Sequence, residues 1–389
     1  MPCALARGMA SLDSTPDFTD PAQRAQLIGS SEGLFQPIQM GALTLPNRVT
    51  MAPLTRCRAG EDGVPTKMHQ TYYAQRASAG LIVSEGSFPA ITSRGFTGQP
   101  GIANDEQQEG WRAVAEAVHQ AGGRMALQIM HAGRMSHSHL TRGTQPEAPS
   151  ALSAGTKIRT YEGKEDSEVP RQLGTDELPR IVREFRTAAR RAIDAGMDAI
   201  EIHSANGYLL HEFLSPASNQ RTDEYGGSPD NRARLVIEVV RAVAEEIGAD
   251  RVGLRISPEH NIQGVLEEDR DDVLATYSAL LDGVKDLGLA YLSILHRHVD
   301  LKHGDDLVST LARKFGGPVI LNSGFQEVTS LEDAEALASN GYAVAVGRQL
   351  IANPDLVRRW QDGRELNAPN PATFYTPGEE GYIDYPFVE

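Results

Sequence analysis

The feature that most restricts this chain is an alternation. Short apolar β runs recur between stretches with helical spacing, and the pattern repeats eight times along 389 residues. In the first half the runs are Val49 to Ala52, Gly80 to Gly86, Met125 to Met130 and Asp198 to Ile202. In the second half they are Val252 to Ile256, Ala290 to Ile294, Pro318 to Asn322 and Ala343 to Val346. Strands covered on both faces of a parallel sheet read in this way. Between the runs the spacing turns helical, as over 109–121, where Trp111, Val114, Ala117 and Val118 share one face. Helices are also predicted over 68–78, 176–195, 229–247, 269–287, 305–315 and 331–339. Ser228 followed by Pro229 supplies an N-cap and a first-turn proline for the helix over 229–247.

Eight strand–helix repeats predict an α/β fold of the (β/α)₈ barrel class. A doubly wound open sheet rarely needs eight strands, and no Gly-x-Gly-x-x-Gly follows the first run. Three segments stand outside the repeat. Residues 1–32 show no clear period and are expected to be a flexible or weakly docked extension, leaving 33–389 as one domain. Residues 34–45 resemble a hairpin plug. The excursion from His131 to Gly174 is too long for a plain connection and is expected to form a lid over the strand ends.

Composition excludes several classes. Lys and Arg number 37 against 52 Asp and Glu, for a net charge of −15, so nucleic acid and an anionic membrane are not expected partners. No apolar run approaches the ~20 residues that cross a bilayer, and the first thirty residues lack the apolar core of a secretory signal. Two cysteines, Cys3 and Cys57, make neither a disulfide framework nor a metal knuckle. A cytoplasmic setting is expected. Monomer and homodimer both remain open.

In a barrel the chemistry collects where strands exit at their carboxyl ends. The fourth run leads into His203-Ser204-Ala205-Asn206-Gly207-Tyr208. An imidazole and an amide three residues apart, both donors, can converge on one developing negative oxygen. A phenol nearby can hand a proton to the same substrate. For these residues alone a structural reading stands beside the chemical one: a histidine capping a loop, an amide in a turn, a tyrosine in the core. The other exits carry Pro53 and Thr55, Gly86, Gln128, Arg255, Ser323-Gly324-Phe325 and Gly347-Arg348. The seventh and eighth exits suit a phosphate, through backbone N–H groups and an arginine; glycine turns with a surface arginine are the alternative. Gln128 can donate and accept at once, as a pyrimidine-like edge demands. Arg255 is a fixed cation beside whatever becomes anionic. A phosphorylated redox heterocycle answers these needs, and FMN is the simplest.

Several longer stretches carry a resemblance. They are Asn47-Arg48-Val49-Thr50-Met51-Ala52-Pro53-Leu54-Thr55-Arg56, Gln128-Ile129-Met130-His131-Ala132-Gly133-Arg134 and His203-Ser204-Ala205-Asn206-Gly207-Tyr208-Leu209-Leu210. Asn219-Gln220-Arg221-Thr222-Asp223, Ala352-Asn353-Pro354-Asp355-Leu356 and Gly381-Tyr382-Ile383-Asp384-Tyr385-Pro386 add to them. From about residue 33 onward the chain resembles the Old Yellow Enzyme family of FMN-dependent ene-reductases, in the branch with Thr at position 55.

The resemblance implies that FMN is reduced by NADPH or NADH and then passes hydride to an activated alkene, in ping-pong order. It implies that His203 and Asn206 bind the carbonyl or nitro oxygen of the substrate, and that Tyr208 gives the proton. Thr55 sits by the flavin, Gln128 and Arg255 hold its pyrimidine edge, and Pro53, Gly86, Gly324, Phe325, Gly347 and Arg348 complete the cofactor site. Phe374 and Tyr375 close over flavin and substrate. Phe96 stands where relatives often carry Tyr, and Met130 where they carry Trp or Phe, so both are expected to shape the substrate pocket. His296-Arg297-His298 through His303 departs from the family pattern. It is read as a substrate-facing or solvated loop, and no metal is expected. Cys57 is expected to be a small buried residue.

Other readings are weaker on the residues. The family's larger dienoyl-CoA reductases carry an iron–sulfur cluster that two cysteines cannot hold. A barrel isomerase or aldolase needs a Schiff-base lysine or paired base at a strand exit, and none is there. A flavin reductase with another acceptor, or a non-catalytic FMN binder, is the alternative.

Overall fold

A computed structural model of the protein describes residues 33–297, 306–323 and 329–388. Strands β1 (Ile38–Met40) and β2 (Leu43–Leu45) form an antiparallel pair ahead of the first barrel strands, β3 (Val49–Met51), β4 (Leu81–Val83) and β5 (Met125–Ile129). Four short strands follow outside the barrel: β6 (Glu147–Ala148), β7 (Lys157–Thr160), β8 (Gly163–Asp166) and β9 (Arg171–Gln172). The barrel resumes with β10 (Ala199–Ser204), β11 (Val252–Ile256), β12 (Tyr291–His296), β13 (Val319–Ser323) and β14 (Ala343–Val346). Its eight strands are parallel, lie in chain order and close between β14 and β3. This is the (β/α)₈ barrel read from the alternation.

Helices cross between the strands: α1 (Lys67–Ala74), α2 (Asp105–Gln120), α3 (Leu178–Asp194), α4 (Leu209–Leu214) and α5 (Pro229–Ile247). They continue with α6 (Arg270–Asp282), α7 (Leu307–Phe315), α8 (Leu331–Ser339), α9 (Arg348–Ala352) and α10 (Leu356–Gln361). Ser228 caps α5, accepting from Asn231 N, with Pro229 in the first turn. Several boundaries differ from expectation: the helix predicted over 68–78 ends at Ala74, and two other shifts have local reasons. Helix α2 starts at Asp105, before the apolar stripe, because Asn104 caps it and Asp105 and Glu106 favour its positive end. The helix predicted over 269–287 ends at Asp282 with Gly283 as its C-cap; a separate 3₁₀ turn covers Lys285–Leu287 and is closed by the left-handed Gly288.

Strand parity divides inside from outside. Ile200, Ile202, Leu254 and Ile256 face the helices and pack with Phe185 and Val239. The opposite parity points into the barrel and changes character along its axis. Near the amino ends it is small and apolar: Ala126, Ala199 and Ala343 cluster with Met40, Leu43 and Leu45 of the β1–β2 hairpin. The hairpin therefore plugs that mouth, tied by Ala42 N donating to Asp250 O at 2.8 Å. Gly41 is required there: its φ is +55°, and a Cβ would lie 2.2 Å from Asp250 O. Nearer the carboxyl ends the same parity turns polar, with Gln128, Glu201, His203, Arg255 and Ser293 all buried. Gly253 lies between Glu201 and Tyr291 in register, and its missing side chain admits the Tyr291 ring.

The excursion after β5 folds as two small sheets, β6 with β9 and the antiparallel hairpin β7–β8. His139 Nδ1 lies 2.8 Å from Glu165, which ties the loop before the hairpin to β8. Among the described residues no helix is long and apolar enough to cross a membrane.

Candidate active site

Directly behind β10 the chain reverses through two consecutive left-handed residues, Asn206 (φ +58°) and Gly207 (φ +78°). Asparagine and glycine are the residues that adopt this conformation most cheaply. Asn206 N donates to Ser257 Oγ at 2.8 Å, and Gly207 N donates to His211 Nδ1 at 2.9 Å. The turn sets Tyr208 back against the strand end. Its ring centroid lies 5.2 Å from that of His203 at an interplanar angle of 63°.

Both groups are buried, and burial decides their protonation. Loss of solvent holds the His203 imidazole well below its usual pKa, with the Arg255 charge acting in the same direction. His203 is therefore neutral, and its buried Nδ1 has no hydrogen-bond partner among the described residues. The Tyr208 phenol is pushed up to about 12, chiefly by burial, with a hydrogen bond from Gln263 working against the shift. It is a protonated phenol at any physiological pH.

Beside Tyr208 lie Phe96, 6.2 Å away between ring centroids, and Met130. Gly86 faces the same corner: a Cβ there would meet Met130 Sδ at 2.8 Å and Gln128 Oε1 at 3.2 Å. One level down, Gln128 Nε2 donates to Glu201 Oε1 at 2.8 Å. Arg255 spends its two terminal nitrogens on Ser293 Oγ (2.9 Å) and Asn322 Oδ1 (3.0 Å). Its buried Nε has no hydrogen-bond partner among the described residues.

A cleft of about 470 Å³ opens beside this group, with Pro53, Thr55, Phe96, Tyr208 and Arg348 in its walls. Phe374 and Tyr375 line it from the C-terminal segment, and Lys157 and Arg159 from β7, so the excursion reaches the strand ends as a wall of the cleft. Gly347 precedes α9, the short extra helix after the last strand, with Arg348 in its first turn. The expected Gly324 and Phe325 lie outside the described residues, as do His298 and His303. His296 ends β12 and bonds Glu259 Oε2 at 3.0 Å through Nε2. Cys57 is partly exposed, contrary to the expectation of a buried residue, and has φ +58°. Its thiol is pushed up to about 12, first by burial and then by Glu85, which makes it a poor nucleophile.

The sequence reading gives no role to Arg56, Arg58, Gln263 or Glu201, all of which the fold draws into this region. Arg56 is fully buried and donates to Phe374 O (3.0 Å), Tyr72 Oη (2.8 Å) and Gly381 O (2.8 Å). Arg58 donates to Thr373 O at 2.9 Å and Glu380 O at 3.0 Å. The two arginines clamp the segment that carries Phe374 and Tyr375. Arg56→Met is expected to cost about 3–5 kcal/mol, from three lost bonds that leave buried acceptors unpaired. Urea unfolding measures this, and limited proteolysis should cut first near 374–382. A midpoint equal to wild type would mean the clamp is dispensable.

A closed parallel barrel with buried donors and a protonated phenol at its carboxyl mouth is the architecture of a (β/α)₈ enzyme. The sequence family described as NADH:flavin oxidoreductase / NADH oxidase matches residues 33–367. The chain is 40% identical over 375 residues to a probable flavin mononucleotide-dependent alkene reductase of Leishmania infantum, covering 92% of this chain and 98% of that one. Morphinone reductase in complex with tetrahydroNAD has a TM-score of 0.85 and 44% identity, covering 92% of this chain and 98% of that chain. An Old Yellow Enzyme homologue from Zymomonas mobilis has a TM-score of 0.86 and 40% identity, over 92% and 100%. The chain belongs to the NADH:flavin oxidoreductase family, the Old Yellow Enzyme family, and is an oxidoreductase.

Proposed function

We propose that this protein is an FMN-dependent ene-reductase. It takes hydride from NADPH or NADH and reduces the C=C bond of α,β-unsaturated carbonyl or nitro compounds in ping-pong order. The observation that carries the reading is the pairing, at one strand end, of a neutral imidazole, whose buried Nδ1 has no hydrogen-bond partner among the described residues, with a phenol kept protonated by burial.

The residues fit FMN. Arg255 Nε is a buried donor without a hydrogen-bond partner among the described residues, and Gln128 uses Nε2 on Glu201, leaving Oε1 toward Gly86. Gln128 and Arg255 would hold the flavin pyrimidine edge, with Thr55 and the backbone at Pro53, Gly86 and Gly347 around the ring. Arg348 would meet the phosphate, and Gly324 and Phe325 belong to the same proposed site. When bound, FMN supplies the hydride acceptor and donor.

This chain's own groups do the rest. His203 and Asn206 donate to the substrate oxygen, which draws electron density from the alkene and makes its β-carbon electrophilic. Tyr208 delivers a proton to the α-carbon, so the alkene gains one hydride and one proton. Phe96, Met130 and Tyr375 shape the pocket and exclude water. Residues 1–32, expected to be an extension, lie outside the described residues, and the working compartment is read as the cytoplasm, where reduced nicotinamide is replenished.

The test is anaerobic absorbance spectroscopy on the purified, FMN-reconstituted protein. NADPH should bleach the yellow band, and 2-cyclohexenone should restore it. Bleaching without restoration would favour the alternative, a flavin reductase with a different acceptor. No yellow band after reconstitution would end the cofactor assignment.

A further inference from the structure

Asn206 must present its amide nitrogen, and not its carbonyl, if it is to donate to a substrate oxygen. The left-handed backbone fixes where the side chain starts but leaves the amide free to flip. One contact removes that freedom. His260, in the loop after β11, places Nδ1 3.1 Å from Asn206 Oδ1. The loop itself is anchored: His260 N donates to Ser257 O at 3.1 Å, and Glu259 N donates to Glu267 Oε2 at 2.7 Å. Glu267 Oε1 in turn accepts from Tyr277 Oη at 3.0 Å and lies 3.2 Å from His211 Nε2. His211 is the residue whose Nδ1 accepts from Gly207 N. The Asn206–Gly207 turn therefore has contacts at both backbone nitrogens and at one side-chain oxygen, all within one connected, partly buried network.

We infer that His260 is a positioning residue: its Nδ1–H donates to Asn206 Oδ1 and thereby turns the Asn206 NH₂ toward the substrate oxygen. This rests on the reading of Asn206 as a substrate donor. A carbonyl facing His260 requires the Nδ1–H tautomer, because an unprotonated Nδ1 would oppose one acceptor with another. Burial lowers the His260 pKa to about 4, so the ring is neutral at working pH, and we assign its single N–H to Nδ1. The consequence is specificity for acceptors. Substrates that place an oxygen lone pair at Asn206 are favoured, and ligands that would donate to it are rejected.

The test is a series at position 260 in the FMN-loaded full chain, read by titrating 4-hydroxybenzaldehyde and following the flavin absorbance. His260→Asn keeps a side-chain donor near the position of Nδ1 and should bind within about twofold of wild type. His260→Ala frees the amide and should weaken binding about tenfold, the size of one hydrogen bond lost. His260→Asp offers only an acceptor and recruits the Asn206 NH₂ to itself, turning the carbonyl to the ligand, so it should bind more weakly than His260→Ala. FMN retention and melting temperature, measured alongside, should not follow this order. Binding by His260→Asp as tight as wild type would show the amide oriented the opposite way and overturn the inference, as would His260→Ala binding like wild type. Losses that track FMN retention would make the role purely structural. Should Asn206→Ala itself leave the titration unchanged, the underlying reading of Asn206 fails; a change there with none at position 260 sinks only the inference.

Discussion

Replacing His203 and Asn206 together by alanine is expected to leave FMN bound while slowing enone reduction by about 10⁴-fold. Each donor aimed at a developing oxyanion contributes about 10²–10³ in rate when it is preorganised in a buried site, and neither side chain forms the barrel wall. The pair's value comes from its environment. His203 is 4% exposed and kept neutral, so it donates from a site where solvent cannot compete. The check is twofold: single-turnover reoxidation of the reduced enzyme by 2-cyclohexenone, and titration with a phenol. Unchanged phenol affinity in the double variant would remove these residues from the substrate site altogether.

Tyr208→Phe is expected to separate the two halves of the cycle. Flavin reduction by NADPH needs no proton from this phenol and should proceed near the wild-type rate. Reoxidation by enone should slow by about 10²–10⁴-fold, the usual range for a positioned general acid. The volume change is one hydroxyl in a corner already lined by Phe96 and Met130, so the fold should be indifferent to it. Since burial places the phenol pKa at about 12, the wild-type reoxidation rate should show no titration from Tyr208 between pH 6 and about 10. Stopped-flow absorbance under anaerobic conditions measures both halves. Equal slowing of the two would assign Tyr208 to something other than proton delivery.

Much of this site is visible in the strands themselves. In Ala199-Ile200-Glu201-Ile202-His203, in Val252-Gly253-Leu254-Arg255-Ile256 and in Met125-Ala126-Leu127-Gln128-Ile129, polar residues fall on one parity of otherwise apolar runs. That parity is the barrel interior, and the polar members sit late in each strand, where the mouth is. A charged residue such as Glu201 inside a buried strand is itself a signal, because burying it without partners is too costly to be accidental. The Ser228–Pro229 cap and the hairpin plug were legible for similarly local reasons: each depends on a few neighbouring residues.

The partners were not legible. Nothing near Glu201 in the chain indicates that it would accept from Gln128, 73 residues away, or lie next to a glycine that admits Tyr291. Arg56 ends the first motif stretch, yet two of its hydrogen bonds go to carbonyls more than 300 positions later. His260 lies 54 residues from the amide it orients. The sequence by itself determined the strand–helix alternation, the inward parity of the polar residues and the identity of the imidazole, amide and phenol, because period and residue type are local properties. Only the tertiary structure decided which of them are neutral, which amide is held and by what, and how the C-terminal segment reaches the cleft. Protonation and orientation depend on burial and on through-space neighbours, and those exist only once the barrel has closed.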